Sequence, residues 1–201
     1  MLGCLAWNGV CRTAARLKAL TWLLWLVAPP AVWAQTPSAA PDWVVDTWQA
    51  EGGLPHNAVT AILQTWDGYL WVGTSNGLAR FDGVRFTTFR SVDTPGLRSN
   101  RILCLYEDAY GVLWIGTDGG GLACCHAGQF TALGSEEGLS SDTVLCLGED
   151  TAGGLWVGTD SGLNRRLTGR FTTFFKTDGL PDDRVSAISQ PAGSSPLFST
   201  G

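Results

Sequence analysis

From residue 55 to residue 180 the apolar residues come in short runs, and Gly, Asp, Ser and Asn fill the intervals. The stretch from 102 to 133 shows the pattern best: Ile102 to Tyr106, Leu113 to Thr117, Leu122 to Cys125 and Phe130 to Leu133, with Gly111, Gly119 to Gly121 and Gly128 between them. Runs of this length, rich in branched and aromatic residues, predict β-strands, and the glycines supply turn conformations that other residues resist. Apolar positions at 3.6 spacing, which a helical solenoid would require, do not recur.

The pattern repeats with a period of about 42 residues. Leu70-Trp71-Val72-Gly73-Thr74, Leu113-Trp114-Ile115-Gly116-Thr117 and Leu155-Trp156-Val157-Gly158-Thr159 set their tryptophans 43 and 42 residues apart. Gly53-Leu54, Gly96-Leu97, Gly138-Leu139 and Gly179-Leu180 step in the same phase, as do Gly77-Leu78, Gly121-Leu122 and Gly162-Leu163, with one extra glycine in the second copy. Four strands in about 42 residues is the arithmetic of a β-propeller blade, although the WD-type signature is missing. The predicted fold is all-β: four-stranded antiparallel blades in an open arc, three complete and others partial, preceded by a signal-peptide helix. The repeats span 55–97, 98–139 and 140–180, with a partial one over 181–201. A blade cannot bury its own faces, so Trp71, Trp114 and Trp156 are expected to pack against neighbouring blades rather than to form a sugar-binding ladder.

The two ends of the repeat array carry expectations of their own. Val45-Asp46-Thr47-Trp48 precedes Leu54 by the offset at which Phe171-Thr172-Thr173-Phe174 precedes Leu180, which predicts an orphan outer strand. Leu197-Phe198-Ser199-Thr200 is a degraded match to the tryptophan motif and predicts the second strand of a fourth blade. Three whole blades, a partial one and an orphan strand do not close a ring. The expectation is therefore an amino-terminal piece of a longer protein, completed by carboxyl-terminal blades or a second chain, and aggregation-prone by itself.

Residues 1–34 differ from the rest. Arg12, Arg16 and Lys18 precede an apolar run from Ala19 to Trp33, and Val32-Trp33-Ala34 offers small residues at the end of it. This is the order of a secretory signal, with cleavage expected after Ala34 and a short polar linker over 35–42. An uncleaved anchor is the alternative, weakened by Pro29 and Pro30 within the run. The propeller region occupies 43–201. Of the 13 basic residues three lie in the leader, so the remainder sets ten against 18 acidic residues and has a net charge of −8. No basic stripe is available to neutralise phosphates, which excludes nucleic acid as a partner.

Candidates for chemistry reduce to packing and turns. Cys104 and Cys146 hold the repeat position of Ala61, a small apolar slot. Cys124-Cys125-His126 could suggest a soft metal, but vicinal thiols do not readily clasp one tetrahedral ion and no second cluster supplies further ligands. His56 lies in a Pro-His-Asn turn, where a local hydrogen bond is expected. Glu107-Asp108 and Glu149-Asp150 recur at one repeat position and read as turn acids. No nucleophile elbow, zinc-protease motif or phosphate loop occurs. No catalytic, cofactor-binding or metal-binding residue is assigned, no cofactor is expected, and the ligand-binding residues stay open.

The recurrent Leu-Trp-Val/Ile-Gly-Thr followed by Gly-Leu, the Ala79-Arg80-Phe81-Asp82-Gly83 and Phe86 of the first copy, and Gly53-Leu54-Pro55-His56-Asn57 together resemble the two-component regulator propeller repeat. The second and third copies depart from it, with Cys124-Cys125-His126 and Arg165-Arg166-Leu167 in place of Arg-Phe-Asp. The resemblance implies the periplasmic, ligand-sensing region of a membrane-spanning signalling protein whose output is often a hybrid histidine kinase and sometimes a diguanylate cyclase or a transcription regulator. The partner so implied is an extracellular or periplasmic small molecule or oligosaccharide, with the membrane reached only through the parent protein or the signal peptide. The expected chain is not itself an enzyme. Two other readings stand beside this one: a propeller lyase or glycosidase fragment, for which Cys124-Cys125-His126 is the distinctive group, and a passive extracellular scaffold.

Overall fold

The computed structural model describes residues 46–189 and 196–201; the signal peptide, the linker and the first part of the orphan-strand segment lie outside the described residues. The blades belong to a compact unit spanning Val45–Gly201.

Each repeat folds into one antiparallel meander with its strands in sequence order. The first blade comprises β1 (Val59–Gln64), β2 (Leu70–Thr74), β3 (Gly77–Phe81) and β4 (Phe86–Phe89). The second comprises β5 (Ile102–Glu107), β6 (Leu113–Thr117), β7 (Leu122–His126) and β8 (Gln129–Leu133). The third comprises β9 (Val144–Glu149), β10 (Leu155–Thr159), β11 (Gly162–Leu167) and β12 (Arg170–Phe174). A further two-stranded sheet pairs β13 (Val185–Ser189) with β14 (Leu197–Thr200). In the second blade the predicted strands differ from the observed ones by at most one residue at an end.

The orphan-strand segment finds no sheet to join among the described residues. Asp46 to Gln49 belong to no sheet and lead into a short 3-10 turn, Ala50–Gly52. Trp48 instead lays its ring against the outer strands of the first blade, 5.1 Å from Phe81 and 6.0 Å from Phe86 between centroids. The sequence offset was real, but a strand needs a partner ladder to satisfy its backbone groups, and an aromatic anchor does not.

Local chemistry explains why the copies fold alike. The first strand of every sheet is bulged at the same place, after Val59, Ile102, Val144 and Val185. Thr74, Thr117 and Thr159 are buried, and each hydroxyl donates back across the hairpin to the carbonyl of Gly77, Gly121 or Gly162 at 2.7 to 2.8 Å. The hairpins between third and fourth strands in the second and third blades turn on Ala127-Gly128 and Thr168-Gly169, all four residues at positive φ. That is the two-residue turn whose twist matches the flanking strands.

The core lies between blades. One cluster joins Trp71 and Leu78 of the first blade to Ile102, Leu113, Ile115, Ala123 and Cys125 of the second. Another joins Trp114 and Leu122 of the second to Val144, Leu155 and Val157 of the third. The second-strand glycine permits this approach. A Cβ on Gly73 would lie 2.7 Å from Ile102 Cγ2, and one on Gly116 or Gly158 would lie 2.8 or 2.9 Å from Cγ1 of Val144 or Val185.

Candidate functional site

The meander places the turns between first and second strands and those between third and fourth strands at one end of every blade. There the Trp-facing surface of one blade and the edge of the next enclose a cleft. The first cleft, of about 350 Å³, is lined by Asp67, Trp71, Arg80, Glu107, Cys125 and Phe130, among others. Its repeat counterpart, of about 330 Å³, is lined by Asp108, Tyr110, Trp114, Glu149, Leu155 and Arg166, among others.

Each turn is built by an acid at one repeat position. Asp108 Oδ1 accepts the N–H groups of Tyr110 and Val112, and its Oδ2 accepts the Trp114 indole N–H at 2.8 Å. Asp150 does the same for Ala152, Gly154 and Trp156, and also accepts Arg165 Nε at 2.7 Å. Burial by itself would raise the Asp150 pKa, but the Arg165 guanidinium and the three N–H donors outweigh it and hold the carboxyl at about 2. In the first blade Thr65 stands at this position and its hydroxyl takes the Trp71 indole N–H at 3.2 Å. The neighbouring glutamates work across blades: Glu107 Oε2 accepts Trp66 N–H, and Glu149 Oε2 accepts Ala109 N–H. The recurrent Glu-Asp pair is thus a turn acid joined to an inter-blade clamp.

Opposite the tryptophans the third strands present Arg80, Cys124 and Arg165. Arg80 lies 4.3 Å over the Tyr69 ring and 5.7 Å from Trp71, and Arg165 lies 5.6 Å from Trp156. Where Cys124 interrupts the series, Arg166 of the third blade reaches over Trp114 at 5.2 Å. The departures from Arg-Phe-Asp noted in the sequence therefore exchange which blade supplies the cation.

The cysteine and histidine candidates are separated by the fold. Strand alternation turns Cys125 to the first inter-blade cluster and Cys124 to the second. His126 is exposed at the end of β7, paired in register with Gln129. Among the described residues no group of three His, Cys, Asp or Glu side chains could hold a metal, and the four cysteines are free. Cys104 and Cys146 pair with Gly116 and Gly158, and their thiols point to the carbonyls of Val144 and Val185 in the following sheet. Burial pushes both thiols up, Cys146 to about 11 and Cys104 further. His56 Nδ1 accepts Ala58 N–H and meets Ser75 Oγ, each at 2.9 Å, as a local turn bond.

One in-phase marker escaped the sequence reading. Asn57, Asn100, Asp142 and Asp183 each use Oδ1 to accept a backbone N–H seven or nine residues upstream, from Ala50, Ser91, Ser135 and Lys176 respectively. The change from Asn in the first two copies to Asp in the last two, and the same 43, 42 and 41 spacing already assigned to Gly-Leu, concealed it.

These features define an arc of propeller blades with clefts at the blade junctions. The family model of the two component regulator propeller matches residues 53–76, 96–119 and 138–161, so the chain carries three repeats of that type. It is similar to the extracellular domain of a putative hybrid two component system from B. thetaiotaomicron, with 28% identity and a TM-score of 0.66 over 72% of this chain. A second such domain from the same organism is 23% identical with a TM-score of 0.59. The chain spans 22% of the length of each of these relatives. Virginiamycin B lyase from Staphylococcus aureus, at 15% identity and a TM-score of 0.54, shares the fold. The comparison with curated proteins gives no match.

Proposed function

We propose that the chain is an extracytoplasmic ligand-sensing propeller of a two-component-type signalling protein and performs no catalysis itself. The observation that carries this reading is the likeness to the extracellular domain of the hybrid two component system, together with three in-phase family repeats. The inter-blade clefts support it, because a ligand seated between two blades that share one core acts on the packing of both. The acids at the junction of the second and third blades also favour binding over catalysis: Asp108 is spent on turn N–H groups and an indole, and Glu149, like Glu107 in the first cleft, holds a neighbouring turn. The lyase reading draws only on a shared fold.

The test has two parts. Expressed with its own leader in a Gram-negative host, the protein is expected in the periplasmic fraction with Gln35 as its first residue. A cytoplasmic, unprocessed chain would overturn the location. Joined to its natural output region, it is expected to change that output when its ligand is added to the periplasmic side. An output indifferent to every ligand that binds would overturn the sensing role.

A further inference from the structure

Of the arginines opposite the tryptophans, one has a counter-ion and its repeat counterpart does not. Arg165 donates Nε to Asp150 Oδ2 at 2.7 Å while lying over Trp156. Arg80 occupies the same position over Trp71, but the acid of its own blade is replaced by Thr65, which serves the indole N–H and carries no charge. Arg80 takes part in none of the four ion pairs among the described residues. Its Nε is buried and has no hydrogen-bond partner there. A half-buried guanidinium that lines a cleft with one donor unpartnered and no counter-ion marks a place suited to an anionic group.

The rest of the first cleft specifies what else a ligand would offer. Trp71, Phe89 and Phe130 form a row of rings along one wall, with centroids 5.6 and 5.2 Å apart. Asp67 and Glu107 line the same cleft. Asp67 Oδ1 is held by the Thr65 hydroxyl and Tyr69 N–H, and Glu107 Oε2 by Trp66 N–H, so each carboxylate keeps its second oxygen outside these bonds. One uncompensated cation, two acids and an aromatic wall in about 350 Å³ suit a small molecule with separated opposite charges and an apolar body. The second cleft repeats the unpartnered donor, since Arg166 Nε is likewise buried without a hydrogen-bond partner, but there Asp108 stands beside Trp114 where the first cleft has the uncharged Thr65.

We propose that the cleft between the first and second blades binds a zwitterion of the amino-acid class. Its carboxylate meets the Arg80 guanidinium, its ammonium meets Asp67 and Glu107, and its apolar side chain lies on the Trp71–Phe89–Phe130 row. This deepens the sensing reading and rests on it only for what the binding is used for.

The test is calorimetric titration of the whole protein with L-phenylalanine, L-phenylalaninamide, 3-phenylpropionate and acetate. L-Phenylalanine is expected to bind saturably at one site, with affinity reduced at least about tenfold when either its carboxylate or its ammonium is removed. Thr65→Asp installs the acid that Arg165 already uses. It is expected to keep the fold, judged by near-ultraviolet circular dichroism of the tryptophans, while weakening L-phenylalanine about tenfold or more. Arg80→Lys, which retains charge but loses the planar guanidinium fork, is expected to weaken it likewise. No saturable binding to folded protein below about 10 mM would overturn the proposal. So would full affinity in the folded Thr65→Asp protein, or acetate binding as well as L-phenylalanine. Binding without any change in signalling output would leave the proposal standing and remove the sensing role; a response to some other ligand without L-phenylalanine binding would do the reverse.

Discussion

Gly73 in the first blade and Ile102 in the second are in contact at the point where a side chain would otherwise stand, since a Cβ on Gly73 would meet Ile102 Cγ2 at 2.7 Å. Gly116 faces Val144 and Gly158 faces Val185 likewise, with the thiols of Cys104 and Cys146 in their own blades closer still, and those three branched residues are fully buried. The glycine of the tryptophan motif is therefore an inter-blade contact rather than a turn. Gly116→Ala is expected to cost about 1–3 kcal/mol by overpacking, measured by urea unfolding. Gly52→Ala, where nothing lies within 4 Å, is expected to be nearly neutral.

The turn acid of the third blade predicts an acid limb of stability. Asp150 titrates at about 2 in the folded protein against an ordinary value of 3.8. A carboxyl lowered by folding contributes stability that is complete above its unfolded pKa and is lost as pH falls through its folded one. Stability is thus expected to fall between about pH 4 and pH 2, and Asp150→Asn is expected to flatten that limb. At neutral pH the same substitution is expected to cost about 2 kcal/mol through its weakened bonds to Arg165 and the turn. Denaturant midpoints taken across the acid range check both effects.

Asp142 should behave as a cap. It accepts Ser135 N–H at 2.8 Å and lies 3.2 Å from Ser135 Oγ at the start of the 3-10 turn Ser135–Glu137. Asp142→Ala is expected to lose about 1 kcal/mol, and Asp142→Asn to retain most of that. Thermal unfolding of the two variants side by side is the measurement.

Thr168 carries a β-branched side chain at φ 48° in a hairpin turn. Thr168→Asn, suited to that conformation, is expected to gain about 0.5–1 kcal/mol, read as a raised denaturant midpoint.

The half-buried thiols of Cys104 and Cys146, aimed at carbonyls of the following sheet, predict selective reactivity. Alkylation at pH 8, resolved by peptide mass spectrometry, is expected to leave Cys104 and Cys146 unmodified in the folded protein and to modify both in denaturant. Cys104→Ala is expected to cost less than about 1 kcal/mol, because Ala61 fills the equivalent slot beside Gly73.

What could be read in the amino acids was whatever repeats. Trp71, Trp114 and Trp156 recur in phase, and the strands around them fell where their spacing put them. The glutamates and aspartates at 107–108 and 149–150 could be seen to recur, but their division of labour between two blades depends on where the next blade's turn arrives. The Arg80 cleft was hidden for a related reason. Its character comes from two departures, Thr65 for an acid and Arg80 without its partner, which lie 15 residues apart and become one feature only when β3 folds back on β2. The segment at Trp48 could be placed in the repeat by its offset, but an offset does not specify a hydrogen-bonding partner.

Amide hydrogen exchange of the Gly116→Val protein tests most directly whether the blades are stable through one another. The contact of Gly116 with Val144 predicts that protection falls together in Leu113–Thr117 and in Val144–Glu149 of the following blade. Loss of protection confined to the second blade, with Val144–Glu149 unchanged, would contradict the account.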